Sequence, residues 1–283
     1  MREVVALALF NKGATLAQLD RCEEAISVYD DVVGRFGTAA EIALREQVAR
    51  ALFNKGVQLG ELGQNEEAIS VYDDVVSRFG TAAETALREQ VARALINKGF
   101  KLGQLGRSEE AVTVYDDVIG RFGAAAETAL RAAVARALVN KGARFGQLGR
   151  GEEEIAIYDD VVGRFEAAAE AGLREEVAYA LINKGITLNE LGRGEEEIAV
   201  YDNVVGRFGT AAETALREQV ARALVNKGVA LSKLGRDAEA ITVYDDVVGR
   251  FGSAVETSIQ SFVEHATTLR TSLAAALPKK RKE

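Results

Sequence analysis

The residue types that catalysis and metal binding use most are nearly missing from this chain. Histidine occurs once, as His265, and cysteine once, as Cys22, in 283 residues. One of each cannot build a His/Cys zinc site, a disulfide framework or a repeated Cys-His pair. What recurs instead is amide and charge. The tripeptide Asn-Lys-Gly begins at Asn11, Asn54, Asn97, Asn140, Asn183 and Asn226, always 43 residues apart. Acidic pairs such as Asp30-Asp31 and Asp73-Asp74 recur at the same period. Adjacent residues on a helix point about 100° apart, so such a pair chelates poorly and reads as solvated charge or as a partner for lysine. Glycine-rich runs such as Gly60-Glu61-Leu62-Gly63 lack the Lys-Ser/Thr of a phosphate loop. Identical copies suit a ladder better than an active site, which needs one asymmetric pocket. No asymmetric set of nucleophile, base and oxyanion donors can be assembled, so neither an enzyme nor a cofactor is expected. His265 reads as a surface or packing residue rather than a base.

The elements that carry these ladders follow from the period itself, because self-similarity at a fixed interval decides the architecture. Residues 81–123 and 210–252 agree at 34 of 43 positions. In the unit 38–80, Thr38 and Glu41 have the spacing of a capping box, and Thr81/Glu84, Thr210/Glu213 and Ser253/Glu256 repeat it. From there Ala40, Leu44, Val48, Leu52, Gly56 and Leu59 form one helical face, predicting a first helix of about 24 residues that ends at Leu62. Gly63 breaks the chain, and Asn65 is placed to cap a second helix whose apolar stripe is Ala68, Ile69, Tyr72, Val75, Val76 and Phe79. Cys22 takes Asn65's place in the first unit. Gly80 is placed as a left-handed C-terminal cap. A hairpin of this kind cannot bury both faces alone, and stacking its copies gives an α-solenoid.

The unit resembles the tetratricopeptide repeat. On that family's Trp-x2-Leu-Gly-x2-Tyr pattern fall Leu52, Lys55, Gly56 and Leu59, and on its later Ala-x3-Phe fall Ala68 and Tyr72. Small residues at Gly56 and Ala68 let the two helices approach closely. Glu154 and Glu197 replace the alanine in units four and five. The resemblance implies an all-α right-handed superhelix of six hairpins, 1–37 (truncated), 38–80, 81–123, 124–166, 167–209 and 210–252, followed by a capping helix 253–277 and a basic tail 278–283. Against the family's usual period, the extra length goes to the N-terminal end of the first helix, and the stop proline gives way to Gly37, Gly80, Gly123, Gly209 and Gly252. Unit four has Glu166 there, which predicts an irregular joint to unit five. Lysine stands where the family buries a leucine, at Lys12, Lys55, Lys98, Lys141, Lys184 and Lys227. A buried lysine is costly unless paired, so each is expected to meet an aspartate of its own or a neighbouring unit.

The family resemblance also implies a site. First helices line a concave groove that holds a partner protein as an extended peptide or a short helix. In the second unit the groove positions are Arg50, Phe53, Asn54, Val57, Gly60 and Glu61. The six asparagines then form a ladder able to satisfy a peptide backbone through donor and acceptor alike, the alternative being that each bonds to the neighbouring hairpin and fixes the stacking. Phe53, Phe100 and Tyr179 belong to the varying positions of that face. Arg50, Arg93, Arg136 and Arg222 rim it, or pair with glutamates such as Glu46 and Glu89 one turn away. The expected partner is a protein or peptide of acidic or amphipathic character.

The chain has 35 basic and 43 acidic residues and a net charge of −8, which argues against a broad grip on nucleic acid. No apolar run approaches the roughly 18 residues of a membrane span, so no membrane is expected, and the lone thiol suits a cytoplasmic location. The tail Pro278-Lys279-Lys280-Arg281-Lys282-Glu283 reads as solvated, although it resembles a short nuclear-import signal. The first helix enters the repeat at the equivalent of Leu44, without opening turns. That leaves two alternatives to the plain scaffold. One is a regulatory or sensor arm of a larger signalling or defence protein. The other is a homo-oligomer formed through the N-terminal repeat.

Overall fold

In the computed structural model, residues 1–276 are described, and the basic tail lies outside them. Every regular element among these residues is an α-helix, and the fold is an α-solenoid of helical hairpins. The chain divides into two compact units, Met1–Leu148 and Gly149–Glu283. The first holds α1 (Arg2–Gln18), α2 (Cys22–Phe36), α3 (Ile42–Glu61), α4 (Asn65–Phe79), α5 (Thr85–Gln104), α6 (Ser108–Phe122) and α7 (Thr128–Gln147). The second holds α8 (Gly151–Phe165), α9 (Ala171–Glu190), α10 (Gly194–Phe208), α11 (Thr214–Lys233), α12 (Asp237–Phe251) and α13 (Thr257–Ala276).

Within the first unit α1, α3, α5 and α7 pack side by side, while α2, α4 and α6 lie in the seams between them, too far apart for their backbones to meet and bridged only by long side chains. A layer whose members touch is shorter than one whose members do not, so the odd-numbered helices form the inner, concave side. The second unit repeats this with α9, α11 and α13 inside and α8, α10 and α12 outside.

Close approach within a hairpin depends on glycine. A Cβ on Gly56 would lie 2.5 Å from the Tyr72 ring, and one on Gly99 would lie 2.6 Å from Tyr115. Both tyrosines are completely buried. The inner helices stop at Gly63, Gly106, Gly192 and Gly235, where φ is +72 to +76°. There the amide of Gln64 donates to Leu59 O at 2.9 Å, the six-to-one bond of a Schellman ending. Asp20 takes the same left-handed conformation in the first hairpin, which short acidic side chains tolerate.

Several local expectations are corrected. Gly80 is right-handed (φ −62°), so the left-handed stop belongs to Gly63 and not to Gly80. Glu166 adopts the same conformation as Gly80, and α9 starts at the usual distance, so the joint between units four and five is regular. Asn65 is the first residue of α4, without a side-chain cap. The inner helices begin at Ile42 and Thr85 rather than at Thr38 and Thr81, and no side chain caps them. The glutamate of each supposed capping box sits at the N-cap itself, where Glu256 accepts from the Val255 amide at 3.1 Å, and an arginine of the preceding inner helix holds it. Arg2 reaches Glu41 and Arg45 reaches Glu84, each at 2.9 Å from the preceding inner helix.

The last helix keeps the repeat register instead of departing from it. Ile259 and Ala266 are buried where Leu216 and Ala223 are, and Arg270 pairs with Asp245 at 2.8 Å as the lysines pair earlier. The positions that would face a further hairpin have turned polar. Glu264, Thr267, Thr268 and Thr271 are exposed where Ala221, Leu224, Val225 and Gly228 are buried. This is how a solenoid ends without a bare apolar face.

Candidate functional site

The joints between repeats are built from side chains of an inner helix or turn and of the preceding outer helix. Lys55 meets Asp30 at 2.5 Å, Lys98 meets Asp73 at 2.5 Å and Lys141 meets Asp116 at 2.7 Å. These lysines are about four-fifths covered while their partners are half exposed, so the expected pairing holds for them and runs between units, whereas Lys12 is exposed and makes no such pair. The second aspartate of each pair takes a different partner, the arginine one turn on, as in Asp74 with Arg78 at 2.7 Å. In the turns Arg107 clasps Glu110 and reaches back to Glu66 of the preceding repeat. These contacts pair most of the carboxylates of the outer layer.

The asparagine ladder faces the same joints. Asn54 donates to Tyr29 Oη and Asn97 to Tyr72 Oη, both at 3.4 Å, and Asn226 donates to Tyr201 Oη at 3.3 Å. Asn140 bonds Tyr115 in the same way. Burial pushes the Tyr115 phenol up to about 12, so it stays a neutral hydroxyl that can accept this bond. These bonds are long, and Asn54, Asn97, Asn140, Asn183 and Asn226 stay half-buried, while Asn11 is exposed.

The remaining groove candidates separate into core and surface. Phe53 is only 5% exposed, because Arg93 lies flat over its ring at 4.1 Å and Tyr72 packs beneath it. Arg50 covers Phe10 in the same way at 4.0 Å. Ile96, Val139, Ile182 and Val225 share the Phe53 position and are buried. Phe100, Tyr179 and Ile186 are open, at 46%, 38% and 40% exposure. Arg222 makes the expected one-turn pair with Glu218 at 3.7 Å, whereas Arg50 bonds Gln47 instead. Arg136 is exposed on α7, where alanine at 132 replaces the glutamate found one turn before the other arginines. Burial pushes the Arg93 guanidinium down from its ordinary value.

Two residues of this face were not singled out by the sequence reading, Lys101 and Arg144. They continue the files Arg93-Asn97-Lys101 and Arg136-Asn140-Arg144, each at steps of one helical turn. Both lie across the preceding inner helix at a glycine. A Cβ on Gly60 would come within 2.5 Å of Lys101 Cε, and one on Gly103 would collide with Arg144 Nη1. The signal was the recurrence of a glycine 41 residues before a long cationic side chain.

The variation in the second unit is complementary. There Thr187 and Ala230 occupy the positions of Lys101 and Arg144, and Glu154 and Glu197 fill the core where alanine stands elsewhere. Glu154 accepts from the Tyr158 hydroxyl at 2.9 Å. Burial raises both carboxyl pKa values, that of Glu154 with Tyr158 and Thr187 opposing it and Glu190 adding to it. Cys22 is buried with no disulfide partner, and burial pushes its thiol up, away from a reactive thiolate.

A concave layer of touching helices, with aromatic and cationic groups open on it and a paired outer layer behind, defines a helical-repeat binding protein. Residues 50–82 and 205–255 match tetratricopeptide repeat models, so the chain carries tetratricopeptide repeats in both of its compact units. It is similar in structure to BtubC (BKLC) from P. vanneervenii, with a TM-score of 0.62 and 14% identity over 93% of this chain and 96% of that one. RapI in its apo form gives 0.65 at 11% identity, over 94% and 75%. The quorum sensor NprR from B. thuringiensis gives 0.60 at 14% identity, over 98% and 75%. At such identities the likeness is one of fold. No curated protein sequence matches the chain.

Proposed function

We propose that this chain is a non-enzymatic scaffold that holds a segment of another protein on the concave layer of its inner helices. The observation that carries this reading is the exposure of Phe100, Tyr179 and Ile186 on inner helices, within one turn of the asparagines. Large apolar groups kept open there have no packing role in the hairpin, and aromatic anchors of this kind dominate binding surfaces. The half-buried asparagine amides, held near tyrosine hydroxyls by long bonds, are available to a peptide backbone. The arginines of the same face favour an acidic or amphipathic partner. No helix among the described residues is long and apolar enough to cross a membrane, and a cytoplasmic location belongs to this proposal.

The test compares capture of partners by the wild-type chain and by Asn97→Ala/Asn140→Ala, followed by quantitative mass spectrometry. The reading expects specific partners to be depleted on the variant while helicity by circular dichroism stays nearly intact. Loss of helicity would assign the amides to stacking, and unchanged capture would remove them from the groove.

Two particular roles have support of their own. The fold shared with the quorum sensor NprR over nearly all of this chain supports a regulatory or sensor arm. On α1, Val4 and Val5 are 70% and 39% exposed, whereas Val48, one repeat on from Val5, is 1% exposed. That bare stripe supports self-association through the N-terminal repeat, and a strict monomer by light scattering at high concentration would contradict it.

A further inference from the structure

The rungs that join one repeat to the next have a fixed specification. The Asn-Lys pair of an inner helix takes a Tyr-Asp pair of the preceding outer helix. Asn54 donates to Tyr29 Oη while Lys55 meets Asp30, and Asn97 and Lys98 do the same with Tyr72 and Asp73. On the same side of α3, Leu44, Val48, Ala51 and Leu52 are buried, at the spacing of one helical stripe. Helix α2, which packs against α3, buries a stripe of its own, Ala25, Tyr29, Val32 and Phe36.

On α1 the same specification is present and unfilled. Val5 and Ala8 are exposed and Leu9 is half-buried where Val48, Ala51 and Leu52 are buried. Asn11 and Lys12 are exposed as well, and among the described residues Lys12 makes no ion pair. Glu24 lies within electrostatic reach of Lys12, as Glu110 does of Lys98, yet Lys98 still takes Asp73 as its partner. Val5, Ala8, Leu9 and Lys12 follow one another at helical spacing, so the apolar surface and the unpaired ammonium lie on one stripe. A folded second copy can cover the apolar part, but it has no free rung to offer. The first aspartate of every outer helix, Asp30, Asp73, Asp116, Asp159, Asp202 and Asp245, is already held by a lysine or arginine of the next inner helix.

We infer that the open face of α1 is a docking surface for one amphipathic helix of another polypeptide, carrying the pattern Ala-x3-Tyr-Asp-x-Val-x3-Phe that α2 itself carries. Lys12 meets its aspartate, Asn11 its tyrosine hydroxyl, and Val5, Ala8 and Leu9 its apolar stripe. This surface is the exposed side of the first inner helix and not the concave groove, so the inference stands apart from the groove reading. It starts from the same bare stripe that supports self-association, and the unfilled rung names a foreign helix in place of a second copy.

The experiment uses the full chain and a fluorescein-labelled peptide of residues 64–80 with Ser70→Ala and Ser77→Ala, two exposed positions at which alanine raises helicity. Fluorescence anisotropy should show saturable binding. It should be about tenfold weaker for the Asp73→Lys copy of the peptide and for the Lys12→Asp chain, and restored when these two are combined, because a repulsive pair then becomes an attractive one. Val5→Asp should abolish binding without loss of helicity, and Asn97→Ala/Asn140→Ala should leave it unchanged. No saturable binding, or binding indifferent to Lys12→Asp and Val5→Asp, would overturn the inference and leave the groove reading standing. Binding that survives Lys12→Asp and is lost in Asn97→Ala/Asn140→Ala would move the peptide to the groove and overturn it as well. A dimer by light scattering that Val5→Asp dissociates and the peptide does not displace would put a second copy on α1 instead.

Discussion

Replacing Gly99 by alanine puts a methyl group where the structure has no room for one. The new Cβ would lie 2.6 Å from Tyr115 Cε1 and 2.7 Å from Cζ, and the ring is buried on every side. Overpacking of a filled core costs about 1–3 kcal/mol, against which the helix regains up to about 1 kcal/mol of backbone preference. The net loss is about 1–2 kcal/mol, or about 2–8 °C in melting midpoint at this size. Gly120 supplies the control. It lies inside α6 with nothing within 4 Å of the added carbon, so Gly120→Ala keeps only the backbone gain of about 0.5–1 kcal/mol. The same substitution is therefore expected to shift stability in opposite directions at two sites. Circular dichroism melts and urea unfolding of both variants beside the wild type measure the difference. Equal shifts of one sign, or an unperturbed Gly99→Ala, would refute the claim that glycine is there for the tyrosine.

Other expectations follow from the charge layout. Glu154 has its carboxyl pKa raised in the fold, so the folded state holds the proton more tightly and stability falls as pH rises from the ordinary carboxylate range through the raised value. Glu154→Gln should thus melt higher than wild type at neutral pH and equally below the ordinary carboxylate range; a difference that persists in acid would contradict burial as the cause. A double-mutant cycle on Lys98 and Asp73 should give a coupling of no more than about 1 kcal/mol, because the aspartate is half exposed. A coupling of several kcal/mol would mean the pair is sealed from water. Thr267→Leu with Thr268→Val restores the interior residues to the back of α13, and light scattering should then show association that the wild-type surface prevents.

How much of this was readable beforehand depends on the range of each contact. The repeat, the hairpin turn at Gly63, the fit of Gly56 to Tyr72 and the pairing of lysine with aspartate all follow from the period together with the rule that small faces large and charge faces charge. Thr38 and Glu41 misled because a capping box is a local pattern, whereas the partner of Glu41 is Arg2, 39 residues earlier. Gly80 misled because a glycine after a helix suggests a left-handed residue, and the next helix here begins after a turn that stays right-handed. Phe53 looked like a groove residue until the arginine of the following repeat was seen to cover it. Lys101 and Arg144 needed two repeats to be read at once, since the glycine that admits each cation belongs to the helix before it.

The central claim is that the concave layer, and α5 within it, meets the partner. Incorporating a photo-crosslinking phenylalanine analogue at Phe100, open on the inner layer, and separately at Ser77, exposed on outer helix α4, tests this with one partner captured by the wild-type chain. The account predicts an efficient crosslink from position 100, none from position 77, and weakening of the first in the Asn97→Ala/Asn140→Ala background. Crosslinking from position 77 at equal or greater yield would contradict it.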